Sequence, residues 1–473
     1  MVYEFTRYRS ELERLPVTHP HVVRRESAVT YRDEFALEQL LDLNPELYPQ
    51  FLEGWSRSYY LPEKHLQAIM NYSSRDIPMS QIQAQVYQDS VLEVKNRLRS
   101  LPSVRAFDIV SELDQVSYRA SSAAGYDYLG AKGEKYGQNH LRAISRAKVI
   151  MWSVLEDGDT GMNHAITTMV PDVGYTRTQL ADLSEKTKIR SVWGRAFHYI
   201  LLEGVVADPL LKAFSNTDTF YHIGQDPTES VPRLLSEVAR DCKWIYALDW
   251  KQFDASVSNF EINTAFDIIK EKVTFPNKET ETAFEISRQL FIHKKIAAPD
   301  GNVYWAHKGI PSGSYFTSII GSIINRIRIE YLWRLITGHG PKMCFTQGDD
   351  SLVGDDILLR LDIIAERANQ IGWYFNPDKT EYSTVPEMVS FLGRTYVGGI
   401  NTRDLKKCLR LLIFPEYPVD NGRISAFRAK SISEDAGNLS EILNKIALRL
   451  KRHYGVASEQ EVPLYFKTYV PGM

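Results

Sequence analysis

Four aspartates carry the most chemistry in this chain. Asp349 and Asp350 stand side by side in "MCFTQGDDSLVG", behind Gly348 and between two apolar runs. About a hundred residues earlier, the apolar run Trp244–Leu248 ends in Asp249, and Asp254 follows after "WKQF". Gly-Asp is a good turn pair, so the doublet reads as a hairpin turn. It also reads as a metal site, because a hard divalent cation takes carboxylate oxygens from more than one element. Two such ions about 4 Å apart stabilise the attacking and leaving oxygens of an in-line phosphoryl displacement. On that reading Asp249 and Asp349 are the principal ligands and Asp350 a secondary one. Asp254 has a plainer alternative, as the N-cap of a helix over "ASVSNFEI".

The elements that must position these carboxylates follow from the patterning. Trp244–Leu248 reads as a buried strand delivering Asp249 at its end. "GIPSGSYFTSIIGSIINRIRIEYLWRL" opens with a turn and continues with apolar residues at helical spacing. After the aspartate hairpin come an amphipathic helix over roughly 357–371 and "FLGRTYVGG", a strand with a glycine-marked turn. Residues 140–240 read as mainly helical, except for a strand over 186–192. From about residue 403 basic helical patterns dominate. The order gives an α+β fold.

Composition narrows the class. With 473 residues the chain is too long for one simple core. Its 44% hydrophobic and 24% charged residues are ordinary for a globular protein. Cys242, Cys344 and Cys408 are odd in number and widely spaced, which points to a reducing, intracellular setting. The polar N-terminus is not a signal peptide. The most apolar stretch, 315–336, is broken by Asn325, Arg326, Arg328, Glu330 and Arg334, so no membrane span is expected. At a net charge of −3, any nucleic-acid binding requires local concentration of the basic residues.

"DWKQFDAS", "GIPSGSYFTS" and "TQGDD", in this order and spacing, resemble motifs A, B and C of viral RNA-dependent RNA polymerases. The wording is most similar to that of partitiviruses and the related picobirnaviruses, whose genomes are segmented double-stranded RNA. The resemblance covers roughly residues 120–400. It implies a right-hand polymerase: fingers, a palm of antiparallel sheet and helices, and a small helical thumb. It implies a division into an N-terminal bridge between fingers and thumb (1–90), fingers (91–245), palm with motif A (246–257), a fingers insertion (258–307), palm with motifs B to E (308–400) and thumb (401–473).

The remaining motifs have both readings. Lys186, Lys188 and Arg190 alternate by two, so on a strand they share one face. That is a patch for a triphosphate or a solvated basic edge; the resemblance makes it motif F, with Arg195 a weaker candidate. Ser312 is a helix cap on sequence alone. By resemblance it helps position the motif A aspartate against the ribose, with Asp254, Thr317 and the flexible loop around Gly309, Pro311 and Gly313. RNA synthesis requires recognition of the 2′-OH. Many single-stranded RNA virus polymerases carry an asparagine four residues after the motif B threonine; that position is Gly321 here, and Asn325 lies one turn further along.

Lys379 is a surface lysine or, by resemblance to motif D, the general acid for pyrophosphate. Arg394 in "FLGRTY" is an exposed hairpin arginine or, as in motif E, a contact to the nascent strand. Ser122 and Gly125 in "SSAAGYDY" resemble motif G at template entry, although the usual proline is Ala123. The basic tail is a solvated face or the lining of a duplex exit. The resemblance further implies two Mg²⁺ ions, with Mn²⁺ able to substitute, and NTPs, RNA template and product duplex as partners. It also implies a viral capsid protein as partner, no membrane, and a place in the host cytoplasm within the virion. A reverse transcriptase and a non-catalytic RNA-binding protein are the rival readings.

Overall fold

The computed structural model describes residues 3–21, 30–185 and 189–467. Two sheets organise the part of the molecule that matters for function. The first has five strands: β1 (Leu12–Thr18), β2 (Asp172–Arg177), β3 (Arg190–Gly194), β5 (Lys294–Ala297) and β6 (Asn302–Ala306). Their spatial order is β1-β6-β5-β2-β3, antiparallel except for the parallel β2–β5 pair. The second sheet contains β4 (Trp244–Ala247), β7 (Met343–Gln347), β8 (Asp350–Asp355) and β9 (Glu381–Ser383), in the order β7-β8-β4-β9, all antiparallel.

Behind the second sheet runs the helix α3 (Thr317–Thr337). Every residue from Ile319 to Trp333 is buried, so the helix is sheathed on all sides rather than amphipathic. Its charged residues survive burial by pairing, as buried ions must. Arg326 bonds Glu330 at 2.7 Å, and Arg328 bonds Glu261 at 2.6 Å. Among the described residues no helix is long and apolar enough to cross a membrane.

The first ninety residues join distant parts of the chain. Strand β1 extends the five-stranded sheet by pairing with β6. Helix α1 (Glu34–Leu43) packs instead with the C-terminal helices α4 (Leu405–Ile413), α5 (Gly422–Asp435) and α6 (Glu441–Tyr454), where Leu37 and Leu40 share a core with Leu409, Leu412 and Leu450. Asp33 caps α1 and reaches Arg428 at 2.6 Å and Ser425 at 2.8 Å. The pair is buried, and removing one partner of such a pair costs about 3–5 kcal/mol.

Several sequence expectations shift in detail. The helix expected over 357–371 is Leu361–Asn369. The strand expected over 186–192 is Arg190–Gly194, with Lys186 and Lys188 outside the described residues. The region 140–240 is mainly helical as expected, with helices over Gln138–Thr168, Phe197–Ser215 and Pro227–Asp241, but it also holds β2, which the pattern did not show. Strand β2 forms there because it pairs with β3, nearby in the chain, and with β5 far along it, and the distant partner leaves no local signal. Cys242, Cys344 and Cys408 are buried free thiols.

Candidate active site

Strand β4 ends one residue before Leu248, and Asp249 follows it, half-buried. A turn over 376–380 wraps around it. The Asp249 N–H donates to Thr380 Oγ1 (3.0 Å), and its carbonyl accepts from the Asn376 N–H (2.9 Å). The Asn376 side-chain amide donates to Asp249 Oδ2 (3.0 Å). This turn leads into β9, which pairs with β4, so the same backbone that continues the sheet also aims the carboxylate.

Asp349 and Asp350 come from the hairpin between β7 and β8, where Gln347 faces Asp350 across a two-residue loop. Gly348 has φ +57° while Asp349 keeps a negative φ, the pattern of a type II′ turn with glycine at its first position. Because β8 lies beside β4, the turn and Asp249 meet at one end of the sheet. The Gly348 N–H donates to Ser322 Oγ on α3 (2.8 Å). Asp349 and Asp350 stay open to solvent, yet protein surrounds them on most sides.

The carboxylates feel one another. Burial first, and then Asp249, raise the Asp349 carboxyl, against the pull of Arg190. Asp350 is pushed up to about 7 by burial and by Asp349, again opposed by Arg190. Asp254 is pushed up to about 7 by burial and by Asp349, opposed by Arg190 and Lys294. One guanidinium, at the start of β3, therefore overlooks three carboxyls. Among the described residues Arg190 has no carboxylate at ion-pair distance, so its charge remains available to an anion.

As placed, no three His, Cys, Asp or Glu side chains among the described residues stand close enough to hold a metal ion. The donor set nevertheless suits a hard cation in kind. Asp249, Asp349 and Asp350 offer carboxylate oxygens from neighbouring strands, and their mutual repulsion is what a divalent ion relieves.

Other expected residues land elsewhere than the sequence suggested. Asp254 does not cap a helix; it lies within the single turn Phe253–Ser256, and the next helix is capped by Ser258 with Glu261. Ser312 does not cap α3, which begins five residues later. Its hydroxyl accepts from the Trp193 N–H (3.1 Å), tying the loop to β3 rather than to Asp254. Gly313 abuts the Trp193 carbonyl so closely that no Cβ fits. Thr317 donates to the Pro311 carbonyl (2.7 Å).

Asn325 is not free to contact a nucleotide. It is fully buried and its amide is engaged by Trp250, Gly348 and Asp350. The Arg394 guanidinium is bound to Asp435 on α5, which also takes Arg403 at 2.6 Å. Arg195 is buried and donates to the Leu290 carbonyl (2.6 Å). Lys379 is exposed, in the turn that cradles Asp249. Ser122 is half-buried and accepts from Lys132 (2.6 Å), and Gly125 has φ +95° against Ala196.

Sequence reasoning missed Asn376, Thr380, Trp250 and Glu203. "NPDKT" carries a turn signal that could have flagged the first two. Glu203, inside helix α2 (Phe197–Ser215), gave none. It binds the Ser314 hydroxyl and the Tyr315 N–H, and burial lifts its carboxyl to about 7.

Residues 31–451 match the model of the viral RNA-dependent RNA polymerase family. The chain belongs to this family. It is 30% identical over 165 residues to the RNA-directed RNA polymerase of Cryptosporidium parvum virus 1 (strain KSU-1), covering 34% of this chain and 31% of that protein. To the RNA-directed RNA polymerase of Atkinsonella hypoxylon virus (isolate 2H) it is 22% identical over 345 residues, covering 61% and 52%. The chain thus spans about a third to a half of these relatives. Among solved structures, the RNA-dependent RNA polymerase of a human picobirnavirus superposes with a TM-score of 0.67 at 15% identity, over 92% of this chain and 89% of that one. The Sicinivirus 3Dpol polymerase gives 0.70 at 14%, over 93% and 95%. The fold is the right hand of these polymerases, with fingers, palm and thumb.

Proposed function

We propose that this polymerase-family chain elongates RNA on an RNA template from ribonucleoside triphosphates, replicating and transcribing a double-stranded RNA virus genome. The observation that carries the reading is the meeting of Asp249 with the Gly348–Asp350 turn on adjacent strands, near Arg190, which has no ion-pair partner among the described residues. In this reading the 3′-OH of the growing strand attacks the α-phosphorus and pyrophosphate leaves. Two Mg²⁺ ions, or Mn²⁺ in their place, held by Asp249, Asp349 and Asp350, would lower the charge on the attacking and leaving oxygens.

The chain's own groups do the rest. Arg190, with Lys186 and Lys188, binds the triphosphate. Asp254 faces the ribose, with Ser312 and Thr317 reaching it only if the loop releases their present backbone bonds. Lys379 stands where it can protonate pyrophosphate. Ser122, Gly125 and Gly313 line the template's path. Residues 1–90 bridge fingers and thumb, 91–245 and 258–307 form fingers, 246–257 and 308–400 the palm, and 401–473 the thumb. Partners are the RNA duplex and a capsid protein, in the host cytoplasm within the virion.

The test is incorporation on one primed RNA template with ribonucleotides or deoxyribonucleotides. Preference for ribonucleotides is expected; preference for deoxyribonucleotides would make the chain a reverse transcriptase.

A further inference from the structure

Asn325 sits in the middle of α3, and every bond its amide makes goes to the catalytic frame. Its Oδ1 accepts from Trp250 Nε1 at 2.9 Å. Its Nδ2 donates to the Gly348 carbonyl at 3.0 Å and to the Asp350 carbonyl at 3.2 Å. Trp250 is the residue after Asp249, and the two carbonyls flank Asp349 on either side. A single buried amide therefore joins the shoulder of Asp249 to both shoulders of Asp349.

The frame needs such a tie. The carboxylates of Asp249, Asp349 and Asp350 repel one another. The turn that carries two of them hinges on a glycine with nothing packed over its tip. Glycine resists bending least, so repulsion acts on the most pliable point of the hairpin. Helix α3 counters this from below. Ser322 holds the Gly348 N–H, and Gly321 fits under the turn, where a Cβ would stand 3.7 Å from Gly348 Cα.

We propose that Asn325 is a positioning residue that sets the separation of Asp249 from Asp349 and takes no part in choosing the sugar. Both amide protons are used within the protein, and the residue is fully buried, so nothing is left to meet a 2′-OH. Sugar selection then falls to groups above the turn, first among them Asp254, whose carboxylate makes no hydrogen bond among the described residues. The inference rests on the polymerase reading.

Steady-state incorporation by Asn325→Ala and Trp250→Phe, each with ribo- and deoxyribonucleotides on one RNA template, tests it. Misplacement of reacting groups by about 1 Å costs about 100-fold, so kcat of Asn325→Ala falls by that order. Its KM for NTP and its ribo-to-deoxyribonucleotide ratio stay within about twofold. Trp250→Phe keeps the two carbonyl bonds and shows the same signature at about tenfold. A ratio changed about tenfold or more in either variant, or an unchanged kcat in both, overturns the proposal. Melting curves accompany both variants, and if Asn325→Ala does not fold, Trp250→Phe decides. Wild-type protein that incorporates no ribonucleotide overturns the polymerase reading itself, and this proposal with it.

Discussion

Two hairpins of this chain handle charge in opposite ways. The one between β7 and β8 gathers Asp349 and Asp350 beside Asp249 and leaves them facing solvent without a cation at ion-pair distance among the described residues. The other, formed by β10 (Thr395–Val397) and β11 (Ile400–Thr402) around Gly398–Gly399, is flanked by Arg394 and Arg403, and Asp435 binds both. Asn401 adds a bond to the Asp435 carbonyl (2.7 Å), so the second hairpin is riveted to helix α5. The first hairpin is poised to bind something; the second has already bound its partner within the chain.

That contrast predicts which losses are chemical and which are mechanical. Arg190 belongs with the first hairpin, as the open cation above the aspartates. Arg190→Ala is expected to lower kcat/KM for NTP by about 100-fold with little change in melting temperature, as for removal of one charge-stabilising donor. Nucleotide titrations alongside thermal denaturation check both halves. Asp435→Ala should do the reverse. It strands two largely buried guanidinium groups, and with their partial exposure the cost is about 2–3 kcal/mol. Denaturant unfolding would show that cost, while kcat/KM of the folded protein stays within about threefold. A large catalytic loss at full stability in Asp435→Ala would break the comparison.

Two smaller effects sharpen it. Asn376→Ala removes the amide on Asp249 Oδ2 and lets that carboxylate turn; kcat should fall about tenfold, the cost of one charge-assisted hydrogen bond. Glu203 lies outside both hairpins, buried under the loop at Ser314. Its folded-state value of about 7 lies above the 4.5 of an ordinary glutamate. From about pH 4.5 to 7 the folded chain keeps this proton and the unfolded chain does not, so stability declines as pH rises through that window. Glu203→Gln should flatten that decline and leave the variant about 1 kcal/mol more stable at pH 8, measured by urea melts at both ends of the range.

The same contrast explains what the sequence could reveal. The aspartates were legible because strand, carboxylate and glycine turn are local patterns, and the spacing of three such patterns is specific. The long helix α3 was legible for the same reason, though not its burial on every side. The partners of Arg394 and Asn325 were not legible, because motif position says where a side chain starts and not whom it meets. Asp435 lies 41 residues from Arg394, and Trp250 lies 75 residues from Asn325. No window of sequence contains both partners. Ser312 misled similarly: a serine before a helix suggests a cap, but the helix starts at Thr317 and the hydroxyl is taken by β3. The N-terminal ninety residues gave no chemistry; β1 pairs with the five-stranded sheet and α1 shares a core with the C-terminal helices, contacts with distant segments that leave no local signal.

The central claim is that Asp249 and Asp349 together carry out RNA synthesis. Extension of a primed RNA template by Asp349→Ala, with Mg²⁺ and ribonucleotides, tests it most directly. The account predicts a loss of about 1,000-fold or more, with a melting temperature equal to or above that of the wild type, since one repelling charge has gone. Extension at the wild-type rate by a folded Asp349→Ala protein would contradict it.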